Sequence, residues 1–139
     1  MAVIAGILLS IWKYQNHLNP INSRTCDCEF CKKHSASYIS DPSGKLIFTI
    51  NEQSKLNKYH QGSGIVDFLV CNNCGVLVGG CYEEYGILFS AVNIKAVASI
   101  SIGNETIVSP KNMDDKDKIQ RWKKLWFSKV ELGMMQSIK

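Results

Sequence analysis

A mainly β domain, mostly antiparallel and completed by one C-terminal α-helix, is the fold class this sequence predicts. Short apolar segments rich in β-branched and aromatic residues recur between turn signals, the pattern of a sheet built from short strands. Only after Pro110 do apolar residues fall at helical spacing. No internal repeat, low-complexity stretch or Pro/Gly/Ser-rich linker divides the 139 residues. Residues 1–139 are therefore expected to form a single domain, within the roughly 100–200 residues of an ordinary single core.

The expected strands are Ile4–Trp12, Ala36–Ser40, Leu46–Ile50, Leu56–His60, Val66–Val70, Val76–Tyr82 and Ile87–Asn93. A further strand is expected over Ala96–Ile102, ending at Gly103-Asn104. The first lies in an apolar run from Met1 to Trp12 that has no preceding basic stretch and no small-residue cleavage site. It is also far shorter than the ~20 residues a membrane helix needs, so it reads as a buried strand and no membrane partner is expected. Asp41-Pro42-Ser43-Gly44 has proline and glycine where a tight turn uses them, and Gly62-Ser63-Gly64 loosens the next connection. Beyond Pro110, Asp114, Asp115 and Asp117 suit a helix's first turn, where the dipole favours negative charge. Ile119, Trp122, Leu125 and Trp126 then form one apolar stripe for packing on the sheet.

Hydrophobic residues at 45% and charged residues at 20% are ordinary for a globular core and exclude a disordered chain. The net charge of +4 falls short of the concentrated basic face of a dedicated nucleic-acid binder, so no nucleic-acid partner is expected. Lys116, Lys118, Arg121, Lys123 and Lys124 are interleaved with the three aspartates, and such mixed signs read as a solvated helix face.

The chemistry resides in the cysteines. With no export signal, six cysteines belong in a reducing compartment, and a cytoplasmic location is expected. There, clustered thiols bind metal more readily than they form disulfides. Five fall into two compact motifs, Cys26-Asp27-Cys28-Glu29-Phe30-Cys31 and Cys71-Asn72-Asn73-Cys74-Gly75. A two-residue gap lets a tight turn aim two sulfurs at one cation, and Gly75 tolerates the backbone such a turn needs. Thiolates are soft ligands, which makes zinc the first choice, although an iron–sulfur cluster also fits four cysteines. Four thiolates would close a structural site, whereas three protein ligands leave a position for water or substrate. Cys26, Cys28 and Cys31 supply three from one loop, and His34 is the candidate to close that set. If it does not, an exogenous thiol can be activated there as a nucleophile. Cys81 stands alone and reads as a small buried hydrophobe.

Cys-x-Cys-x-x-Cys, followed by basic residues, a strand pair and Cys-x-x-Cys-Gly, resembles the glutathione-dependent formaldehyde-activating enzyme family, with its centromere protein V relatives. The resemblance runs from Arg24 to about Val130, and includes Ala91-Val92-Asn93 and Arg121-Trp122 with Leu125-Trp126-Phe127. It implies an antiparallel β-tent, zinc-ribbon-related, with zinc held by Cys26, Cys28 and Cys31 as the catalytic-type site. It also implies a carbon–sulfur lyase that joins formaldehyde to the thiol of glutathione, giving S-hydroxymethylglutathione. The family's earlier Cys-x-Cys-Gly, which joins the later pair in a structural zinc site, is here Val3-Ile4-Ala5-Gly6. Cys71 and Cys74 are then half of a metal site whose other half is missing, left either as reduced thiols or drawn to a zinc shared with members of the first cluster.

Glutathione, or a similar small thiol, brings carboxylates that need cationic or backbone N–H partners, and Arg24, Lys32 and Lys33 beside the loop are the candidates. Asp27 and Glu29 are candidate acceptors next to the metal, and Phe30 is expected to pack beneath the loop. Two other readings remain open: a zinc-stabilised non-catalytic binding module, and a degenerate scaffold that keeps only the fold.

Overall fold

The computed structural model describes residues 2–4, 7–12, 21–50, 56–61, 64–72, 75–96 and 102–134. The chain is mainly β, with eleven strands and two α-helices among the described residues. The apolar N-terminal segment forms two antiparallel strands, β1 (Ala2–Ile4) and β2 (Ile7–Trp12), where one was expected over Ile4–Trp12. They are followed by β3 (Ile21–Cys26), α1 (Glu29–Lys33), β4 (Ser37–Ile39), β5 (Lys45–Ile50) and β6 (Leu56–Tyr59). Next come β7 (Asp67–Cys71), β8 (Leu77–Glu84), β9 (Ile87–Asn93), β10 (Ile102–Val108), α2 (Asp115–Leu125) and β11 (Lys129–Met134).

The strands make a four-stranded sheet, ordered β1-β2-β5-β11, and a seven-stranded sheet, ordered β10-β3-β4-β9-β8-β7-β6. Among the described strands seven of the nine pairings are antiparallel, in keeping with the mostly antiparallel expectation, but each sheet is mixed: β10 runs parallel to β3, and β11 parallel to β5. The expected single helix is corrected, because α1 forms inside the first cysteine motif. Of the strand expected over Ala96–Ile102, residues 97–101 lie outside the described residues; Ala96 belongs to the 3₁₀ turn Ile94–Ala96, and the described strand β10 runs from Ile102 past the expected end at Gly103-Asn104 to Val108.

Turn chemistry explains the local geometry. Gly44 N–H closes on the Asp41 carbonyl at 3.0 Å, and the Asp41 carboxylate takes the Ser43 N–H at 2.9 Å. Gly75 sits at φ +77, the left-handed backbone that a side chain would strain, while its N–H bonds the Cys71 carbonyl at 2.7 Å. Of the Gly62-Ser63-Gly64 connection, only Gly64 is among the described residues. Asp114 caps α2 by accepting the Asp117 N–H at 2.8 Å, as the acidic first turn predicts.

The large sheet buries both of its faces. On one side Ile39, Leu69, Cys71, Val78, Cys81 and Val92 pack against Leu46 and Phe48 of β5, with Phe127 filling the remaining space. Phe127 is held there by a two-way backbone bridge to Ser90. On the opposite side Cys31, Ala36 and Leu77 gather Cys26, Cys28, Tyr38, Phe68 and Val70. Alternation along β7 makes the division: Phe68 and Val70 face one way, Leu69 and Cys71 the other.

Close strand packing depends on Gly79. A Cβ there would stand 2.3 Å from the Ala91 carbonyl oxygen, a backbone atom in a paired strand that cannot swing away. Gly79→Ala is expected to lower stability by about 3 kcal/mol, read as a fall in the urea midpoint at unchanged m-value.

Candidate metal centre

The first cysteine motif is shaped by a one-turn helix. Cys26 ends β3 beside Val108 of β10, and the Asp27 N–H bonds the Val108 carbonyl at 3.1 Å. Cys28 is the N-cap of α1, and its sulfur faces the N–H of Cys31 at 3.5 Å. The two-residue gap therefore spans N-cap and third helical residue, positions whose side chains converge on the helix start. At the other end, the Ala36 N–H bonds the Cys31 carbonyl at 2.9 Å and the Ser35 N–H the Lys32 carbonyl at 3.1 Å, with Ser35 at φ 51. That pairing is a Schellman stop, which turns the chain at once into β4.

The outcome is three sulfurs, from Cys26, Cys28 and Cys31, all within 4.8 Å of one another. Zn–S bonds of about 2.3 Å in a tetrahedral array place sulfurs about 3.8 Å apart, so the set closes on zinc by moving about 1 Å or less. Soft, closely spaced thiolates fit a thiophilic divalent ion, and the group can hold a metal. A hydrogen bond from Cys31 holds the Cys26 thiol below its ordinary range, at about 6. Burial pushes Cys28 up, while Cys31 is raised by that same bond to Cys26 and by burial. Metal uptake must therefore displace protons from Cys28 and Cys31, and affinity rises with pH.

Among the described residues no fourth His, Cys, Asp or Glu joins the three sulfurs. His34 is exposed at the end of α1 and lays its ring against Phe30, with centroids 4.8 Å apart. Phe30 also stacks on Tyr59 and tilts against Phe68, beneath the loop. Cys71 lies on the opposite face of the sheet, fully buried in the main core, and is not brought to the triad. Cys74 lies outside the described residues, as do Ala5 and Gly6 of the segment that replaces the family's earlier cysteines.

The triad lies against a cleft of about 340 Å³. Of the three cations expected beside the loop, Arg24 reaches it, because on β3, two residues before Cys26, alternation puts both on one face. Lys32 and Lys33 do not: both are exposed on α1, and Lys33 pairs with Glu29 at 2.9 Å. The remaining cations of the cleft are Lys111, Lys118 and Arg121, which the sequence reading assigned to solvent or left aside. Lys118, Arg121 and Trp122 are three to four residues apart on one face of α2, and Trp126, four beyond Trp122, is the C-cap at its end. That spacing was legible, but the interleaved aspartates masked it. Trp122 and Trp126 stack at 5.2 Å and line the cleft, while Tyr82 packs behind Trp122 at 5.8 Å.

Neither Asp27 nor Glu29 lines the cleft. Asp27 accepts from Ser109 at 2.5 Å and lies 3.8 Å from Lys111, tying the loop after β10 to the cysteine loop. Sequence reasoning missed Tyr38, whose hydroxyl lies 3.1 Å from the Cys31 sulfur at the cleft floor. Burial, chiefly, and the adjoining thiols raise its pKa, so it stays protonated. Cys81, raised to about 11 by burial, sits in the core as a small apolar residue beside Ser90.

No family model matches the chain, and no curated protein matches it. Its fold is similar to the crystal structure of a Rhodobacter sphaeroides protein, a structural-genomics target, at 17% identity and a TM-score of 0.54. The alignment covers 74% of this chain and 93% of that one, and at such identity the likeness concerns architecture alone. No described helix is long and apolar enough to cross a membrane.

Proposed function

We propose that this chain is a zinc protein of the glutathione-dependent formaldehyde-activating type, a carbon–sulfur lyase acting on glutathione or a related anionic thiol. One observation carries the reading: three clustered thiols form one side of a cleft whose other walls present four cations and a tryptophan pair. Three sulfurs from the protein leave a place for one from a ligand. Arg24, Lys111, Lys118 and Arg121 suit the two carboxylates of a tripeptide thiol, and the volume is of the order of small-ligand pockets.

Zinc, when bound, supplies the charge that lowers the pKa of an incoming thiol. The chain's own groups supply the rest. The cations fix both ends of the thiol so that its sulfur meets the triad side of the cleft, converting a chance encounter into an oriented one. The stacked faces of Trp122 and Trp126 keep water from that wall. In the forward direction the thiol sulfur forms a bond to the formaldehyde carbon, the carbonyl π pair moves to oxygen, and the proton lost by sulfur ends on that oxygen.

The test uses cobalt as an optical stand-in. Glutathione is expected to alter the visible spectrum of the cobalt-loaded protein, and S-methylglutathione, which lacks the thiol, is not. Arg121→Ala is expected to weaken glutathione binding about ten-fold or more, as for loss of a charge-assisted hydrogen bond. A cobalt spectrum indifferent to glutathione at saturating concentration would refute the reading.

A further inference from the structure

Tyr38 is the one polar side chain that the described structure hydrogen-bonds to a sulfur of the triad from outside the cysteine loop. Its position is heavily determined. β4 is only three residues long and pairs Tyr38 with Arg24 on one side and Asn93 on the other. The Ser37 hydroxyl donates to Ser23 at 2.6 Å and lies 2.9 Å from the Thr25 hydroxyl, while the Ser37 N–H donates to Asn93 Oδ1 at 3.2 Å. A buried polar network of this kind fixes a short strand that ladder bonds alone would hold loosely.

We infer that Tyr38 is a positioning residue for the metal centre, its phenol O–H donating to the Cys31 sulfur and setting both the orientation and the donor strength of that ligand. The inference rests on the reading of the triad as a metal site. The direction of the bond follows from elementary chemistry. A cysteine that ligates a metal has no proton to give, so the phenol must be the donor. A donor aimed at a thiolate withdraws electron density from it and anchors its rotamer, the role that outer partners play around metal ligands. Cys26 and Cys28 are held by the backbone around them, at a strand end and a helix cap, whereas Cys31 sits within α1 and gains its side-chain anchor from β4.

The experiment compares the full-length protein with Tyr38→Phe, which keeps the ring and removes only the hydroxyl. Zinc affinity is measured by chelator competition, and the sulfur-to-cobalt charge-transfer band is recorded for both proteins. The variant is expected to bind zinc about ten-fold or more weakly. Its charge-transfer band should move to lower energy, because a sulfur without its donor gives up electron density more readily. A shift to lower energy at an unchanged cobalt coordination number separates loss of the hydrogen-bond donor from a loss of packing that alters affinity alone. Equal affinity and an unmoved band in a variant that binds one cobalt would overturn the role of Tyr38 and leave the metal site standing. A wild-type protein that takes up no cobalt would overturn both.

Discussion

Cys31→Ser is expected to empty the metal centre. Structural zinc in small peptides contributes about 10–16 kcal/mol over four ligands, so one ligand is worth about 3 kcal/mol. That is about a hundred-fold in affinity, and a hydroxyl does not replace a thiolate for a soft-ligand site. With two protein sulfurs left, zinc should be lost on dialysis, and protein-bound metal should fall to about a tenth of the wild-type content or less. Cys31 is also buried against Ala36 and Leu77, so the variant's far-ultraviolet spectrum must be compared with the parent's. Loss of metal with the spectrum retained assigns the effect to the ligand rather than to the fold.

The second large effect is expected at Asn93, which is not one of the three clustered cysteines. Its side chain is 3% exposed and makes three bonds: Oδ1 accepts from the Ser37 and Lys95 N–H groups, both at 3.2 Å, and Nδ2 donates to the Leu77 carbonyl at 2.9 Å. Asn93→Leu keeps the size and strips these backbone groups of that partner in a buried place. Each such loss costs about 1–3 kcal/mol, so the variant should be about 3 kcal/mol less stable, with a correspondingly lower urea midpoint. Because Asn93 bridges β8, β9 and β4, the same change should loosen Tyr38 and weaken metal retention. Zinc in excess should restore part of the lost stability, since it binds only the folded state. A midpoint within error of the parent's would show that the bridge is not holding β4.

How far the sequence reached depended on what each residue packs against. The central strands were legible because Leu46 and Phe48, or Leu69 and Cys71, alternate with less buried neighbours. The helix after Pro110 was legible from its capping aspartate and its apolar stripe. β3 was not, because Asn22, Ser23, Arg24 and Thr25 give it no apolar pattern: Ser23 is buried among hydroxyls rather than hydrocarbon. The run of β10 past Gly103-Asn104 was not legible because it lies at a sheet edge with Asn104, Glu105, Thr106 and Ile107 exposed, so no core imposed a period on it. α1 spans five residues, too few for a helical period to declare itself.

The cysteine cluster that can hold a metal was legible from spacing, and the partition between the two motifs was not. Cys71 ends a strand covered on both faces, and nothing in the order of its neighbours says which face its side chain takes. Lys32 and Lys33 were favoured for their nearness in sequence to the cysteines, yet a helix turn separates them from the cleft. Apart from Arg24, the cations that line it come from α2 and the loop before it, some eighty residues on, and only the fold brings them across. Tyr38 became visible only through the pairing of β3 with β4.

The central claim is a single open metal centre of three protein sulfurs. Metal analysis combined with X-ray absorption on the zinc-loaded protein, recorded with and without glutathione, tests it most directly. One zinc per chain is expected, with three sulfur neighbours at about 2.3 Å and one lighter atom, and a fourth sulfur replacing the lighter atom when glutathione is added. Two zincs per chain, or four sulfurs that glutathione does not change, would contradict it.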